Sequence, residues 1–350
     1  MIRTKILGLG SYVPDRVVKN EEIPFLNEKH VRQETQQSET SDEWIQRRTG
    51  IQERRYVDEG TATSDLALQA AKRALVDANM EPHEIDCIIL GTLSPDIHFP
   101  GTAVFLQQKL GIAEKTNCAC FDIRQQCSGF VYGLQMADAF IRSGMYKRIL
   151  LVGAEVHSHS LDFSTRGRDV MILFGDGAGA MLLGPMDSDD PRAGIAYTSA
   201  HADGSGAMAL HLKIFDIAKA PYVWYDANNR DENSIKYPQM DGKRVFLNAV
   251  RGMVMSTQAA LAKTGLTWDD IQWFVPHQAN LRINEKVVEV AKIPPEKVLN
   301  SIQLFGNTTA ATIPLTLDHW RKEGKVKKGD RILSSVFGAG FTWGSAIFTF

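Results

Sequence analysis

Cysteine is scarce in this chain, with four residues in 350, at positions 87, 118, 120 and 127. Four cysteines at that length do not make a disulfide framework. Cys118 and Cys120 are too closely spaced for a zinc knuckle, and no second pair completes a tetrahedral site, so no metal is expected. Long apolar runs are also missing. No stretch approaches the ~18 to 20 residues that span a bilayer, and the opening MIRTKILGLGSYVP offers only ILGLG before Ser11 and Pro14, too little for a signal peptide. A soluble, cytoplasmic protein with no membrane partner is the expectation. An excess of one charge is lacking too: 39 Lys and Arg oppose 41 Asp and Glu, for a net charge of -2. The basic residues are spread along the chain, which excludes the basic stripe of a nucleic-acid binder. With 44% hydrophobic and 23% charged residues, the composition is that of a globular protein large enough for two domains or one duplicated unit.

What is present is a repeat. ALVDANMEPHEIDCIILGT (74–92) and ALAKTGLTWDDIQWFVPHQ (260–278) superpose without a gap, each a helix end, a turn, an acidic pair and a buried strand. CSGFVYGLQMADAFIRSG (127–144) matches NTTAATIPLTLDHWRKEG (307–324) in length, and each leads into a basic stretch and a strand, RILLVG or RILSSVFG. Leu134, Ala137, Phe140 and Ile141 fall near helical spacing, with Gly144 and Gly324 as C-terminal stops. Apolar runs such as CIILGTL suit strands covered on both faces. The pattern predicts α/β architecture, parallel sheets layered with helices, in two fused copies covering 1–186 and 187–350. Cys127 and Asn307 then stand at equivalent helix starts, and His277 ends the strand WFVPH. Packing about a pseudo-twofold axis brings the three together.

Two motifs are decoys. GDGAGA (175–180) satisfies a dinucleotide-binding pattern, but Pro185 and Pro191 interrupt any following helix, so a strand closely approached by other backbone is expected and no nicotinamide cofactor. HSHS (157–160) has no neighbouring acidic or cysteine cluster and reads as a surface or packed loop rather than metal ligands. The polar segment 26–43 reads as a solvated helix or loop, and WIQRRTG (44–50) pairs an aromatic platform with arginines suited to an anionic, stackable ligand.

The motifs TSDEWIQRRTGI, CSGF, LFGDGAGA, VPHQANLRI, FGNTTAATIP and FGAGFTWGSA run in order along nearly the whole chain. In them the sequence resembles the thiolase-like superfamily and, within it, the β-ketoacyl-acyl-carrier-protein synthase III family. The set Cys127, His277 and Asn307 separates this branch from classical thiolases, with Cys, His and Cys, and from elongating ketosynthases, with Cys, His and His. The resemblance implies a five-layer αβαβα fold and an acyltransferase that loads an acyl-CoA primer on Cys127 and condenses it with malonyl-acyl carrier protein, with decarboxylation. A cysteine at a helix N-terminus gains thiolate character, and His277 and Asn307 suit a developing enolate oxygen.

Further roles follow from the same resemblance. The backbone N–H groups of Cys127 and Ala339 form the oxyanion hole, with Phe337 flanking that turn. Trp44 and Arg48 hold the nucleotide end of coenzyme A, joined by Arg168, for which Arg166 is the competing alignment. Asn280 lies at the pantetheine arm, Arg282 and Lys286 dock the carrier protein, and Phe99 crosses a homodimer interface. Coenzyme A enters as substrate, with no cofactor. Arg124-Gln125-Gln126 departs from the small residues that usually precede the nucleophile, and segment 26–39 is longer than the family norm. Both bear on the acyl substrate, leaving a specialised relative as an alternative: a non-decarboxylating long-chain condensing enzyme, or a starter synthase for a resorcinol, aryl polyene or other polyketide. A thioester hydrolase or acyltransferase forming no carbon–carbon bond is the alternative from another class.

Overall fold

A computed structural model describes residues 1–27, 29–30, 32–114, 117–213 and 237–350. Strands Ile2–Tyr12 (β1), Cys87–Gly91 (β2), Ala119–Ile123 (β3), Ile149–Glu155 (β4) and Gly177–Asp187 (β5) form one sheet in the order β1-β5-β4-β2-β3. Strands Ile195–Ala202 (β6), Trp273–Pro276 (β7), Arg331–Gly338 (β8) and Thr342–Thr349 (β9) form a second, in the order β7-β8-β9-β6. Strands β2 and β4 pair in parallel, as do β7 and β8; β5 is antiparallel to β1 and β4, as β9 is to β6 and β8. The duplication read from sequence is therefore visible as one topology used twice.

The sheets are mixed, which corrects the expectation of parallel sheets. A crossover helix is what makes neighbouring strands parallel. Between β8 and β9 the chain instead reverses in the short turn Ala339–Phe341, and between β4 and β5 it returns through short turns and one four-residue helix.

Helices complete the layers: Asp42–Thr49 (α1), Thr63–Ala78 (α2), Gly129–Arg142 (α3), Gly242–Thr264 (α4), Leu281–Ala291 (α5) and Thr312–Lys322 (α6). Helix α2 covers the outer face of the first sheet, α3 and α6 lie between the sheets, and α4 with α5 covers the outer face of the second. This is the five-layer αβαβα arrangement. Phe130, Leu134, Ala137 and Ile141 give α3 a buried stripe within the cluster that also contains Ile89, Leu151, Ile313 and Leu317. Each large side chain buried there contributes about 1.5–3 kcal/mol. Gly144 and Gly324, at φ of 76° and 75°, follow the central helices, as expected of left-handed terminators.

The register of the repeat differs from the sequence match. A single 3₁₀ turn precedes each central helix, Gln126–Ser128 before α3 and Thr309–Ala311 before α6. Gln126 and Thr309 both hold positive φ, 45° and 51°. Cys127 thus corresponds to Ala310, and Asn307 lies three residues upstream of the equivalent place. A gapless length match cannot detect the extra residues, because they sit in irregular backbone before the helix.

Glycine sets how closely the halves approach. A Cβ at Gly153 on β4 would lie 2.3 Å from the Ala310 carbonyl oxygen and 2.9 Å from the Ala311 nitrogen. These are backbone atoms that cannot rotate away. Gly153→Ala is expected to destabilise the protein by about 1–3 kcal/mol and to depress turnover, measured by urea unfolding alongside the assay; wild-type stability would show that the axial contact yields.

Candidate active site

The turn before α3 buries Cys127 to 8% exposure. Its backbone abuts the β8 terminus so tightly that a Cβ on Gly338 would stand 3.2 Å from the Cys127 nitrogen and Cβ. Burial, with a smaller contribution from the buried Glu155 carboxylate, pushes the thiol up to about 12, against the opposing pull of its own backbone N–H and an Asn307 side-chain hydrogen bond. Burial thus opposes the thiolate character expected of a cysteine at a helix start. The partial positive charge of a helix end is worth less here than desolvation of a full negative charge.

His277 follows β7, and its backbone N–H donates to the Ser335 carbonyl at 2.9 Å. The ring is buried, and burial draws its pKa down to about 3, so the imidazole is neutral at pH 7. Nδ1 lies 2.7 Å from the Thr312 hydroxyl, which is also placed to donate to the Thr309 carbonyl at 3.1 Å. Nε2 is buried with no hydrogen-bond partner among the described residues. Thr312 supports either tautomer. When its hydroxyl donates to Thr309, it accepts from Nδ1–H and leaves a lone pair on Nε2; when it donates to Nδ1, Nε2 carries the proton. One imidazole can thus take a thiol proton and later donate to an oxyanion.

Asn307 is fixed by its backbone and its own amide. The backbone N–H donates to Leu173 O at 2.8 Å, Gly175 N–H donates to Asn307 O at 3.1 Å, and Oδ1 accepts the Thr309 N–H at 2.8 Å. With the oxygen committed, the amide N–H groups are left to face Cys127.

Two cavities meet at this point. One, of about 510 Å³, is lined by Arg48, Asn280, Phe337, His277, Cys127 and Asn307 among others. The other, of about 650 Å³, extends past Cys127 to Leu93, Ile97 and Val156. Cys127, Asn307 and Ala339 belong to both linings. At the rim of the first, the Arg48 and Arg168 guanidinium carbons lie 4.5 Å and 4.0 Å from the Trp44 ring centroid. A thioester bound through one cavity would present its carbonyl at the thiol and its acyl group to the other.

Residues 121–209 match the family model described as 3-oxoacyl-[acyl-carrier-protein (ACP)] synthase III, and 261–350 match its C-terminal counterpart. Proteins named beta-ketoacyl-[acyl-carrier-protein] synthase III are similar over nearly the whole chain. The one from Hyphomonas neptunium is 40% identical over 346 residues, 99% of this chain and 98% of its own. The one from Bradyrhizobium sp. is 43% identical over 349 residues, again 99% and 98%. The crystal structure of 3-oxoacyl-[acyl-carrier-protein] synthase III from Aquifex aeolicus superposes with a TM-score of 0.84 at 40% identity, covering 99% of this chain and all of that one. The chain belongs to the β-ketoacyl-acyl-carrier-protein synthase III family. It is a condensing acyltransferase with the thiolase-like fold.

Cys127, His277, Asn307, Ala339, Phe337, Asn280 and Arg48 line one continuous space. Arg168 stacks on Trp44, whereas Arg166 Nε donates to Asp162 at 2.6 Å and its guanidinium stands over Tyr237. Asn280 caps α5 by accepting from Arg282 N–H and also donates to the Arg48 carbonyl. Arg282 has structural work beyond any docking, since its guanidinium donates to the Arg47 and Gln46 carbonyls at the end of α1 and pairs with Glu285. Lys286 pairs with Glu289 at 2.7 Å. Phe99 stands apart from these at 79% exposure.

The other motifs behave as local reading suggested. GDGAGA enters β5, and a Cβ at Gly179 would meet Pro314 at 2.6 Å. Its Asp176 accepts from Val57 N, His157 N and both Ser158 donors, tying three segments together. In HSHS, His157 is buried against Phe174 and bonded to the Thr309 hydroxyl, while His159 is exposed beside His30. Sequence reasoning missed Thr312 and Gly338. A threonine inside TTAATIP looks like helix filler, and only the tertiary placement of His277 gives it a function.

Two expectations follow. Alkylation of Cys127 by iodoacetamide should be slow at pH 7 and still rising at about pH 10, beyond the point at which an ordinary thiol of pKa ~8.5 has levelled. A plateau below about pH 8, scored against Cys127→Ser, would show a resting thiolate instead. Thr312→Val should slow turnover about tenfold or more, the scale of a lost buried hydrogen bond, while Thr312→Ser retains most activity. Pre-steady-state rates for the two half-reactions would locate the loss, and unchanged rates in the valine variant would dismiss Thr312 as a positioning residue.

Proposed function

We propose that this enzyme transfers an acyl group from an acyl-CoA primer to Cys127 and condenses it with malonyl-acyl carrier protein, releasing carbon dioxide and a β-ketoacyl-acyl carrier protein. The observation that carries this reading is Cys127 at the junction of two cavities, with His277 and Asn307 on the same space. A two-cavity nucleophile suits a ping-pong reaction, in which one channel admits each thioester in turn while the acyl group occupies the other.

In the first half-reaction the thiol is neutral, so its proton must leave as sulfur attacks. His277 Nε2, in the tautomer whose Nδ1–H donates to Thr312, receives that proton and returns it to the departing coenzyme A sulfur. The backbone N–H groups of Cys127 and Ala339 would hold the tetrahedral oxyanion. In the second, Nε2–H and the Asn307 amide hydrogen-bond the malonyl thioester oxygen while carbon dioxide departs. The enolate carbon attacks the acyl-Cys127 carbonyl, the carbon–sulfur bond breaks, and the released thiolate takes a proton from the medium. His277 therefore acts on both half-reactions, and Asn307 on the carbanion step. That is the chemistry a simple thioester hydrolase does not need.

At the rim, the Arg48, Trp44 and Arg168 stack supports binding of the nucleotide end of coenzyme A, where stacking and phosphate charge are both available. The exposed pair between Arg48 and Asp169, at 2.9 Å, is weak enough for a phosphate to displace. Asn280 supports the pantetheine arm, and carrier-protein docking falls on the α5 face bearing Arg282 and Lys286. A homodimer accounts for the exposed ring of Phe99, close in sequence to Ile97 and His98 of the second cavity.

Intact-protein mass spectrometry should show an acyl adduct on the wild type and none on Cys127→Ala. Asn307→Ala should still acylate yet lose about a hundredfold or more in condensation, the usual cost of removing an oxyanion donor, whereas His277→Ala should slow both half-reactions. Condensed product without carbon dioxide release would overturn the decarboxylating reading.

A further inference from the structure

We propose that the second cavity accepts an acyl group carrying an oxygen function, a carboxylate or a hydroxyl, in preference to a plain hydrocarbon chain. The inference rests on the condensing reading above and specifies its primer. The wall beyond Cys127 includes Leu93, Ile97 and Val156, but Arg124, Gln126, Asp96, His157, His159 and His211 line the same 650 Å³ space.

The polar groups divide by whether they are already satisfied. Asp96 accepts from the Ser64 backbone N–H at 2.9 Å and from the Ser64 hydroxyl, so its charge is committed. His157 is bonded to the Thr309 hydroxyl. Gln126 donates to the Arg124 carbonyl at 2.7 Å. Two groups remain. Arg124 is exposed, and its guanidinium has no hydrogen bond or ion pair among the described residues, so its fork of donors is held by solvent at the cavity wall and free to turn to a ligand. His211 places Nδ1 3.0 Å from the Met208 carbonyl, while Nε2 is buried with no partner among the described residues. With Nδ1–H donating, Nε2 accepts from a hydroxyl.

A hydrocarbon chain satisfies neither group, and burying Nε2 against it costs about 1–3 kcal/mol. An oxygen on the chain can pair with either, and gains a charge-assisted bond to Arg124 if it is a carboxylate. Arg124 lies three residues before the nucleophile, so this chemistry would act close to the reacting carbonyl. It also gives the unusual Arg124-Gln125-Gln126 segment a use.

The test compares four-carbon primers of equal length: succinyl-CoA, 3-hydroxybutyryl-CoA and butyryl-CoA, in single-turnover acylation of Cys127. The expected result is an acylation kcat/KM at least tenfold higher for succinyl or 3-hydroxybutyryl than for butyryl, the winning arm naming the oxygen function. Arg124→Ala should lower the ratio of that primer to butyryl about tenfold, with partial recovery in Arg124→Lys. A butyryl preference in the wild type, or an unchanged ratio in Arg124→Ala, overturns the inference and leaves the condensing reading intact. Failure of all three primers to acylate Cys127 removes both.

Discussion

The close contact between the two halves at Gly153 and Ala310 is the constraint on which the site depends. With no side chain on Gly153, the turn before α6 lies against β4, leaving only 2.3 Å between a notional Cβ and the Ala310 carbonyl oxygen. The same contact brings the two pre-helical turns together. Gln126 and Thr309 each adopt a left-handed conformation uncommon for residues with a side chain, and each sits one residue before a position facing the axis. A non-glycine residue held this way stores local strain of order 1 kcal/mol or more and persists only where the surroundings enforce it. The strained turns and the tight axis are thus one arrangement. It turns the Cys127 thiol toward the Asn307 amide.

What converges there is uncharged. The Cys127 thiol is pushed up, the His277 imidazole is drawn down, and Asn307 is neutral by nature. A permanent thiolate–imidazolium pair buried to this degree would need compensation that the surroundings do not provide. A neutral pair avoids that cost until a substrate arrives with its own dipoles. Charge then appears only as bonds change, in a low-dielectric space where each hydrogen bond to the developing oxyanion counts for more than in water. The lone proton exchange between thiol and imidazole needs a base able to switch tautomer, and Thr312 with its two acceptors allows that switch without moving a heavy atom.

Much of the fold was legible in the sequence because its core repeats: acidic pair, buried strand, central helix and closing glycine recur in both halves and survive as matching strands and helices. The members of the candidate site were legible from residue type, since Cys127, His277 and Asn307 stand near the ends of strands or ahead of helices. The register between halves was not. Three extra residues before α6 are invisible to a length match, and they place Asn307 upstream of the turn rather than in it. Strand sense was misread for a related reason, since apolar runs report burial on both faces but not direction. The effect of burial on the Cys127 thiol was not legible, because a helix-start argument counts the nearby dipole and omits desolvation, which only the packed structure reveals.

The mouth of the site follows a different logic from its centre. Cys127, His277 and Asn307 are buried and neutral, whereas at the rim Arg48 and Asp169 are exposed and paired, with Arg48 and Arg168 on the Trp44 ring. The two are linked mechanically. Arg282, at the start of α5, donates to the last carbonyls of α1, and Asn280 caps α5 while donating to the Arg48 carbonyl. The helix carrying the cationic platform is therefore fastened to the helix that begins four residues after His277. Positive charge at the rim attracts an anionic thioester over a Debye length, about 8–10 Å at physiological salt, but cannot itself orient a carbonyl. Orientation needs the rigid, neutral centre, and the α1–α5 clasp sets the distance between the two. A substrate anchored at one end is thereby measured against a nucleophile held by the other half of the fold.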